Sequence, residues 1–312
     1  MEEKFQALRD EILRLKGEKN ALIMAHYYQR DEIQEVADFI GDSLALARKA
    51  AETDADIILM CGVHFMGETA KILCPDKKVL VPDMKAGCSL ANSCDAAEFE
   101  KFVKAHPDHT VISYVNTSAA VKAVTDIVVT SGNARKVIDS LPKDEKIIFG
   151  PDKNLGGYIN SVTGREMLLW PGACHVHDRF SLTKIQEMKQ EHPEAKVLVH
   201  PECRRPLQLI ADKVGSTAAL LDFARHDDAK EFIVVTESGI LFEMRRKCPE
   251  KTFLAAPAET GECSCNECEF MKLNTLEKVA AALRNEAPEI IVDPEIAAKA
   301  VKPIERMLEL SK

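Results

Sequence analysis

Three apolar runs along the chain break off in the same way. In NALIMAHYYQ (20–29), TVISYVNTSA (110–119) and KVLVHPECRR (196–205) the hydrophobic stretch ends at His26-x-Tyr28, Tyr114-x-Asn116 and His200-x-Glu202, in steps of 88 and 86 residues. Downstream the pattern turns to helical spacing opened by a small polar residue: Ser43 in GDSLALARKA, Ser131 in SGNARKVIDS, and Ser216 with Thr217 in GSTAALLDFA. A second apolar run follows (57–63, 147–152, 232–238), and a third near 78–82, 167–170 and 252–256. Cysteine comes next each time, as Cys88, Cys174 and the cluster Cys263, Cys265 and Cys268; connectors then close at Pro107, Pro193 and Pro288. So many features in register describe one unit written three times.

The strand-like runs are continuously apolar rather than alternating, as in parallel sheets covered by helices on both faces. Each unit therefore reads strand, helix, strand, helix, strand, helix. The first has strands near 22–25, 57–62 and 78–82, with helices across 31–51 and 65–73. The expected architecture is three pseudo-threefold-related three-layer α/β/α domains, 1–93, 94–180 and 181–312, each with a short parallel sheet, around a central active site. Functional groups in such sheets gather at the carboxyl ends of the strands. Copies facing inward would bring three polar pairs and three cysteines to one cavity. The stretch 290–312 begins like a fourth copy and stops after one helix, which is expected to pack back on the first unit.

Composition narrows the classes. The 312 residues are 46% hydrophobic and 29% charged, which suits a globular protein of several compact units. No stretch is apolar for long enough to span a membrane. The charged amphipathic start, MEEKFQALRDEILRLKGEK, lacks the apolar core of an export signal, so a cytoplasmic location is expected. A net charge of −9 argues against a nucleic-acid partner. Ten cysteines in such a chain point to reduced thiols used for metal binding or catalysis. Cys61, Cys74, Cys94 and Cys248 read as structural from their places in or beside apolar elements; Cys203 adjoins the His200/Glu202 pair and is less certain. Cys88, Cys174 and one thiol of the third copy suit a [4Fe–4S] cluster with one iron lacking a protein ligand. Such an iron is a Lewis acid fitted to dehydration. Zinc is the rival, strongest at the local run CSCNEC. Cys268 is the expected third ligand, with Cys263 and Cys265 as neighbours. His64, His106, His109, His192 and His226 fall outside the repeated positions and read as structural, and Gly156 and Gly157 in NLGGYI read as a tight turn.

The segments AHYYQ, GDSLALA, GCSLA, YVNTSA, TSGNA, PDKNLGGYI, WPGACHVHDRF, VHPEC, VVTESGI and CEFMKLNTLEKV resemble those of the quinolinate synthase family, iron–sulfur enzymes of de novo NAD synthesis. The likeness runs through nearly the whole chain in order. It implies condensation of iminoaspartate with dihydroxyacetone phosphate to quinolinate, phosphate and two waters. It also implies a [4Fe–4S] cluster on Cys88, Cys174 and Cys268, and supply of iminoaspartate by an L-aspartate oxidase. Proline commonly follows the third ligand in the family, whereas Glu269 does so here. Within that reaction Glu202 is the expected base, Tyr28 and His26 stand around the triose hydroxyl and carbonyl, and His200 and His177 act as acids or substrate holders. Ser131 with Tyr114 and Asn116 is expected to hold a carboxylate, and Ser43, Ser216 and Thr217 the remaining anions. The rival functions are another cluster-dependent hydro-lyase and a non-enzymatic metal or redox sensor.

Overall fold

The computed structural model describes residues 2–259 and 266–312; Cys263 and Cys265 lie outside the described residues. It contains three four-stranded parallel sheets of identical topology. The first comprises β1 (Ala21–His26), β2 (Phe39–Gly41), β3 (Ile57–Cys61) and β4 (Lys78–Leu80). The second comprises β5 (Thr110–Tyr114), β6 (Ile127–Val129), β7 (Ile147–Gly150) and β8 (Leu168–Leu169). The third comprises β9 (Lys196–Val199), β10 (Lys213–Val214), β11 (Glu231–Val235) and β12 (Thr252–Ala255). In each sheet the first strand of the unit lies between the second and third, and the fourth is at the edge. The long strands are buried along almost their whole length, as β3 (IILMC) is throughout, because helices cover both faces.

Each unit thus has one strand more than the apolar pattern suggests. β2, β6 and β10 are two or three residues long and break the expected helical stretch, so that 31–51 divides into helix Asp31–Val36, β2 and helix Ser43–Glu52. Their register is set by an aspartate just before each one. Asp38, Asp126 and Asp212 each accept the N–H of a residue in the unit's first strand, Ile23, Val111 and Val197, at 2.9, 2.8 and 2.8 Å. Each also donates its own N–H to the same residue's carbonyl, at 2.8, 2.9 and 2.9 Å. The same two-way bond in all three copies carries the repeat down to hydrogen-bonding detail. Gly156 and Gly157 are not in a turn but inside helix Lys153–Thr163. A Cβ on Gly156 would lie 2.6 Å from Leu169 Cδ2 and 2.9 Å from Phe149 Cδ1, so glycine there permits close approach of helix to sheet.

Two carboxyl-terminal helices leave the third unit. Helix Leu276–Asn285 packs with helix Glu2–Glu18 on the first sheet, where Val279 and Leu283 meet Ile12, Leu15, Ile23 and Leu59. The last helix, Pro294–Leu310, joins its buried Ala300, Ile304 and Met307 to a core shared by the first two units. It contacts helix His64–Leu73 of the first and β6 of the second. Among the described residues no helix is long and apolar enough to cross a membrane.

Candidate active site

The carboxyl ends of the three central strands supply the polar pairs. His26 and Tyr114 are the last residues of β1 and β5, and His200 follows β9 directly. All six pair members line a single cavity, together with Ser43, Ser131, Thr217, His177 and the three cysteines Cys88, Cys174 and Cys268. Ser216 is the one anticipated residue outside the lining. Its hydroxyl caps helix Thr217–His226 by accepting the Ala219 N–H at 3.3 Å. Ser43 sits in the first helical turn, but the cap there is Asp42. Ser131 lies in the turn before helix Ala134–Ser140.

Two of the pairs orient their histidines identically. The Tyr28 N–H donates to His26 Nδ1 at 3.1 Å, and the Glu202 N–H to His200 Nδ1 at 3.3 Å. With Nδ1 an acceptor, the neutral ring carries its proton on Nε2. Burial pushes both rings down to about 3, so both are uncharged N–H donors at neutral pH. His200 Nε2 lies 3.3 Å from Ser131 Oγ.

A hydrogen-bonded chain crosses the cavity floor. Tyr114 donates its hydroxyl to Glu202 Oε1 at 2.5 Å, and Glu202 Oε2 lies 3.2 Å from His177 Nδ1. His177 Nε2 is 2.9 Å from Thr236 Oγ1, which is 2.7 Å from the Tyr28 hydroxyl, itself 2.8 Å from Thr217 Oγ1. Burial works against the Glu202 carboxylate, but His177, His200 and the Tyr114 hydroxyl outweigh it and keep the pKa low. Burial raises both Tyr28 and Tyr114, so they remain phenols. The Glu202 carboxylate thus stands beside the neutral donors Tyr114 and His200.

The thiols come from three distant loops. Burial pushes Cys88 up to about 12 and Cys268 up to about 11, and raises Cys174 as well. Three sulfurs lining one cavity suit ligation by a thiophilic metal, which would stabilise the thiolate that burial disfavours. His177 Nδ1 also lies 3.3 Å from Cys174 Sγ, and ligand atoms of Cys174, His177 and Glu202 all fall within 4.8 Å of one another, close enough to hold a metal ion. Cys61, Cys74, Cys94, Cys203 and Cys248 are buried outside the cavity lining. The residues after the three lining cysteines also meet. Ser89 bonds His175 Nδ1, and His175 Nε2 lies 3.8 Å from Glu269 Oε1, so Glu269 faces this cluster of loops.

Several contributors carry no sequence signal on their own. Eight residues beyond the first member of each pair stand Gln34, Lys122 and Gln208, all buried. Gln34 Nε2 donates to the carbonyls of Tyr27 and Gln29 at 3.1 and 2.9 Å. Gln208 Nε2 does so to Pro201 and Cys203 at 2.9 and 2.7 Å. Lys122 Nζ donates to Val115 and Thr117, at 2.8 and 2.5 Å. These are equivalent carbonyls on either side of each pair's second member, so three unlike side chains clamp three equivalent loops. Superposing the copies would have revealed them, as would noting that each copy has a nitrogen donor at that step.

The family model described as "Quinolinate synthetase A protein" matches residues 10–309. The quinolinate synthase of Chloroherpeton thalassium is 54% identical over 305 residues, covering 98% of this chain and 95% of its own. That of Trichodesmium erythraeum is 53% identical over 307 residues, covering 98% and 94%. That of Cyanophora paradoxa is 52% identical over 307 residues, covering 98% and 93%. The chain belongs to the quinolinate synthase family.

Proposed function

We propose that this enzyme condenses iminoaspartate with dihydroxyacetone phosphate to give quinolinate, phosphate and two waters, using a [4Fe–4S] cluster held by Cys88, Cys174 and Cys268. The observation that carries the reading is the convergence of three polar pairs and three thiols on one cavity in a chain of this family. Three sulfur donors fit a four-iron cluster and leave one iron open; when bound, it supplies a Lewis acid for loss of hydroxyl as water.

The protein's own part is binding and proton transfer. The Nε2–H groups of His26 and His200, with the hydroxyls of Ser43, Ser131 and Thr217 and the Asn116 amide, suit the carboxylates of one substrate and the phosphate of the other. Glu202, kept ionised, is the base. Its contact with His177, and the onward links through Thr236 to Tyr28, give a proton taken at a carboxylate oxygen a route towards the Tyr28 hydroxyl. Tyr28 and His26 then serve the triose carbonyl and hydroxyl. Iminoaspartate would come from an L-aspartate oxidase, in the cytoplasm, and the three units of the chain are proposed as 1–93, 94–180 and 181–312.

A second reading places one divalent metal on Cys174, His177 and Glu202, favoured by their closeness. Metal analysis after anaerobic purification separates the two. The proposal expects about four iron and four sulfide per chain, lost in Cys88→Ser, Cys174→Ser and Cys268→Ser. Stoichiometric zinc without sulfide would overturn it. Glu202→Gln is expected to retain the cluster's absorption and lose turnover; an active variant would remove Glu202 from its role.

A further inference from the structure

Two fully buried carboxylates occupy the same register in the second and third units. Asp152 lies two residues past the end of β7, and Glu237 two residues past the end of β11. Asp152 accepts the Leu155 N–H on one oxygen at 2.7 Å and the backbone N–H of Cys174 on the other at 3.2 Å. Glu237 accepts the Gly239 N–H on one oxygen at 2.7 Å and the backbone N–H of Cys268 on the other at 3.0 Å. Each carboxylate therefore ties the end of a central strand to the cysteine of its own unit, by that cysteine's own amide. In the first unit the register position is Val63, and the link is made by main chain instead, from the His64 N–H to the Ala86 carbonyl at 2.7 Å.

A buried carboxyl group is costly unless its oxygens are hydrogen-bonded, and both groups spend an oxygen on a cysteine loop. We propose that Asp152 and Glu237 are positioning residues that hold the Cys174 and Cys268 loops in the geometry that binds the cluster. Outer partners of this kind orient metal ligands. Glu237 does more. Lys272 Nζ lies 3.0 Å from its Oε1 and donates to the Tyr28 carbonyl at 2.8 Å, so the third cysteine loop and the first polar pair share one anchor. The inference rests on the cluster reading above.

The test compares anaerobically reconstituted wild type with Asp152→Ala, Asp152→Asn, Glu237→Ala and Glu237→Gln. The readouts are iron and sulfide per chain, the rate of iron release to a chelator, and the Tm of the metal-free protein. Asp126→Asn is the control, because Asp126 also accepts a backbone N–H, from Val111 at 2.8 Å, but at a strand edge away from the cysteines. The alanine variants are expected to release iron about 10- to 100-fold faster than wild type. The amide variants, which keep one acceptor oxygen, should fall between and cover the case in which an alanine variant fails to fold. Asp126→Asn should release iron at the wild-type rate even if its Tm falls. Wild-type release in loaded Asp152 and Glu237 variants would overturn the inference alone, as would equal acceleration in Asp126→Asn. A wild type without iron and sulfide would instead overturn the cluster reading, and this inference with it.

Discussion

Replacing Lys122 tests whether the three clamps are equivalent. Its side chain is fully buried, and its ammonium bonds the Val115 and Thr117 carbonyls that flank Asn116. Burial pushes it down to about 8, so it is still a cation at neutral pH. In Lys122→Ala both carbonyls lose a charged donor in a buried setting, at about 1–3 kcal/mol each. The deleted methylenes add a packing loss of about 1 kcal/mol or more. The expected destabilisation is therefore about 3–7 kcal/mol, with kcat/KM falling as the Tyr114–Asn116 loop loosens. Lys122→Gln installs what the other two copies use, Gln34 and Gln208, which reach the equivalent carbonyls at 2.7–3.1 Å. It should lie within about 1–2 kcal/mol of wild type, since it restores the donor to both carbonyls. Urea denaturation with linear extrapolation measures both variants. An alanine variant within about 1 kcal/mol of wild type, or a glutamine variant no better than alanine, would refute the reasoning.

Other consequences can be checked alongside. Tyr114→Phe removes the hydroxyl bonded to Glu202 at 2.5 Å and should lower kcat by about 10²-fold, because that contact holds the proposed base, with cluster absorption unchanged; unaltered kcat would contradict the role of that contact. The neighbouring glycines should respond oppositely. Gly156→Ala drives a methyl against Leu169 and Phe149, at a cost of about 1–3 kcal/mol, whereas Gly157→Ala meets nothing within 4 Å and gains helix propensity, up to about 1 kcal/mol; chemical denaturation of the pair decides. Glu286, at the end of helix Leu276–Asn285, is held down to about 2 by Lys19 and Lys78. A carboxylate whose folded pKa is depressed stabilises above its unfolded pKa and loses that contribution as pH falls through the folded value. Tm should therefore drop less steeply from pH 5 to about 2 in Glu286→Gln than in wild type, and parallel profiles would exclude the pair's contribution.

The repeat was legible because its marks are local. An apolar run, a polar pair and a later cysteine are read from residue type alone, and strand burial follows from the continuous apolar runs. β2, β6 and β10 were hidden because two or three residues carry no period, and what sets them is a bond from Asp38, Asp126 or Asp212 to another strand. The clamps were hidden for a different reason. Lysine and glutamine look unlike, and only their nitrogen and its reach matter. Thr236, Glu237 and Asp152 looked like ordinary strand-end residues until the cavity brought them against His177, Cys268 and Cys174. Gly156 misled because a glycine pair signals a turn only where the backbone requires it, and here the requirement is space beside Leu169. The docking of helix Leu276–Asn285 on the first sheet pairs residues far apart in the chain, and no local pattern encodes that.

The central claim is the reaction itself. Anaerobically purified protein carrying iron and sulfide, given dihydroxyacetone phosphate and freshly generated iminoaspartate, should form quinolinate and release an equal amount of phosphate. Failure of the loaded protein to form quinolinate under those conditions would contradict the account.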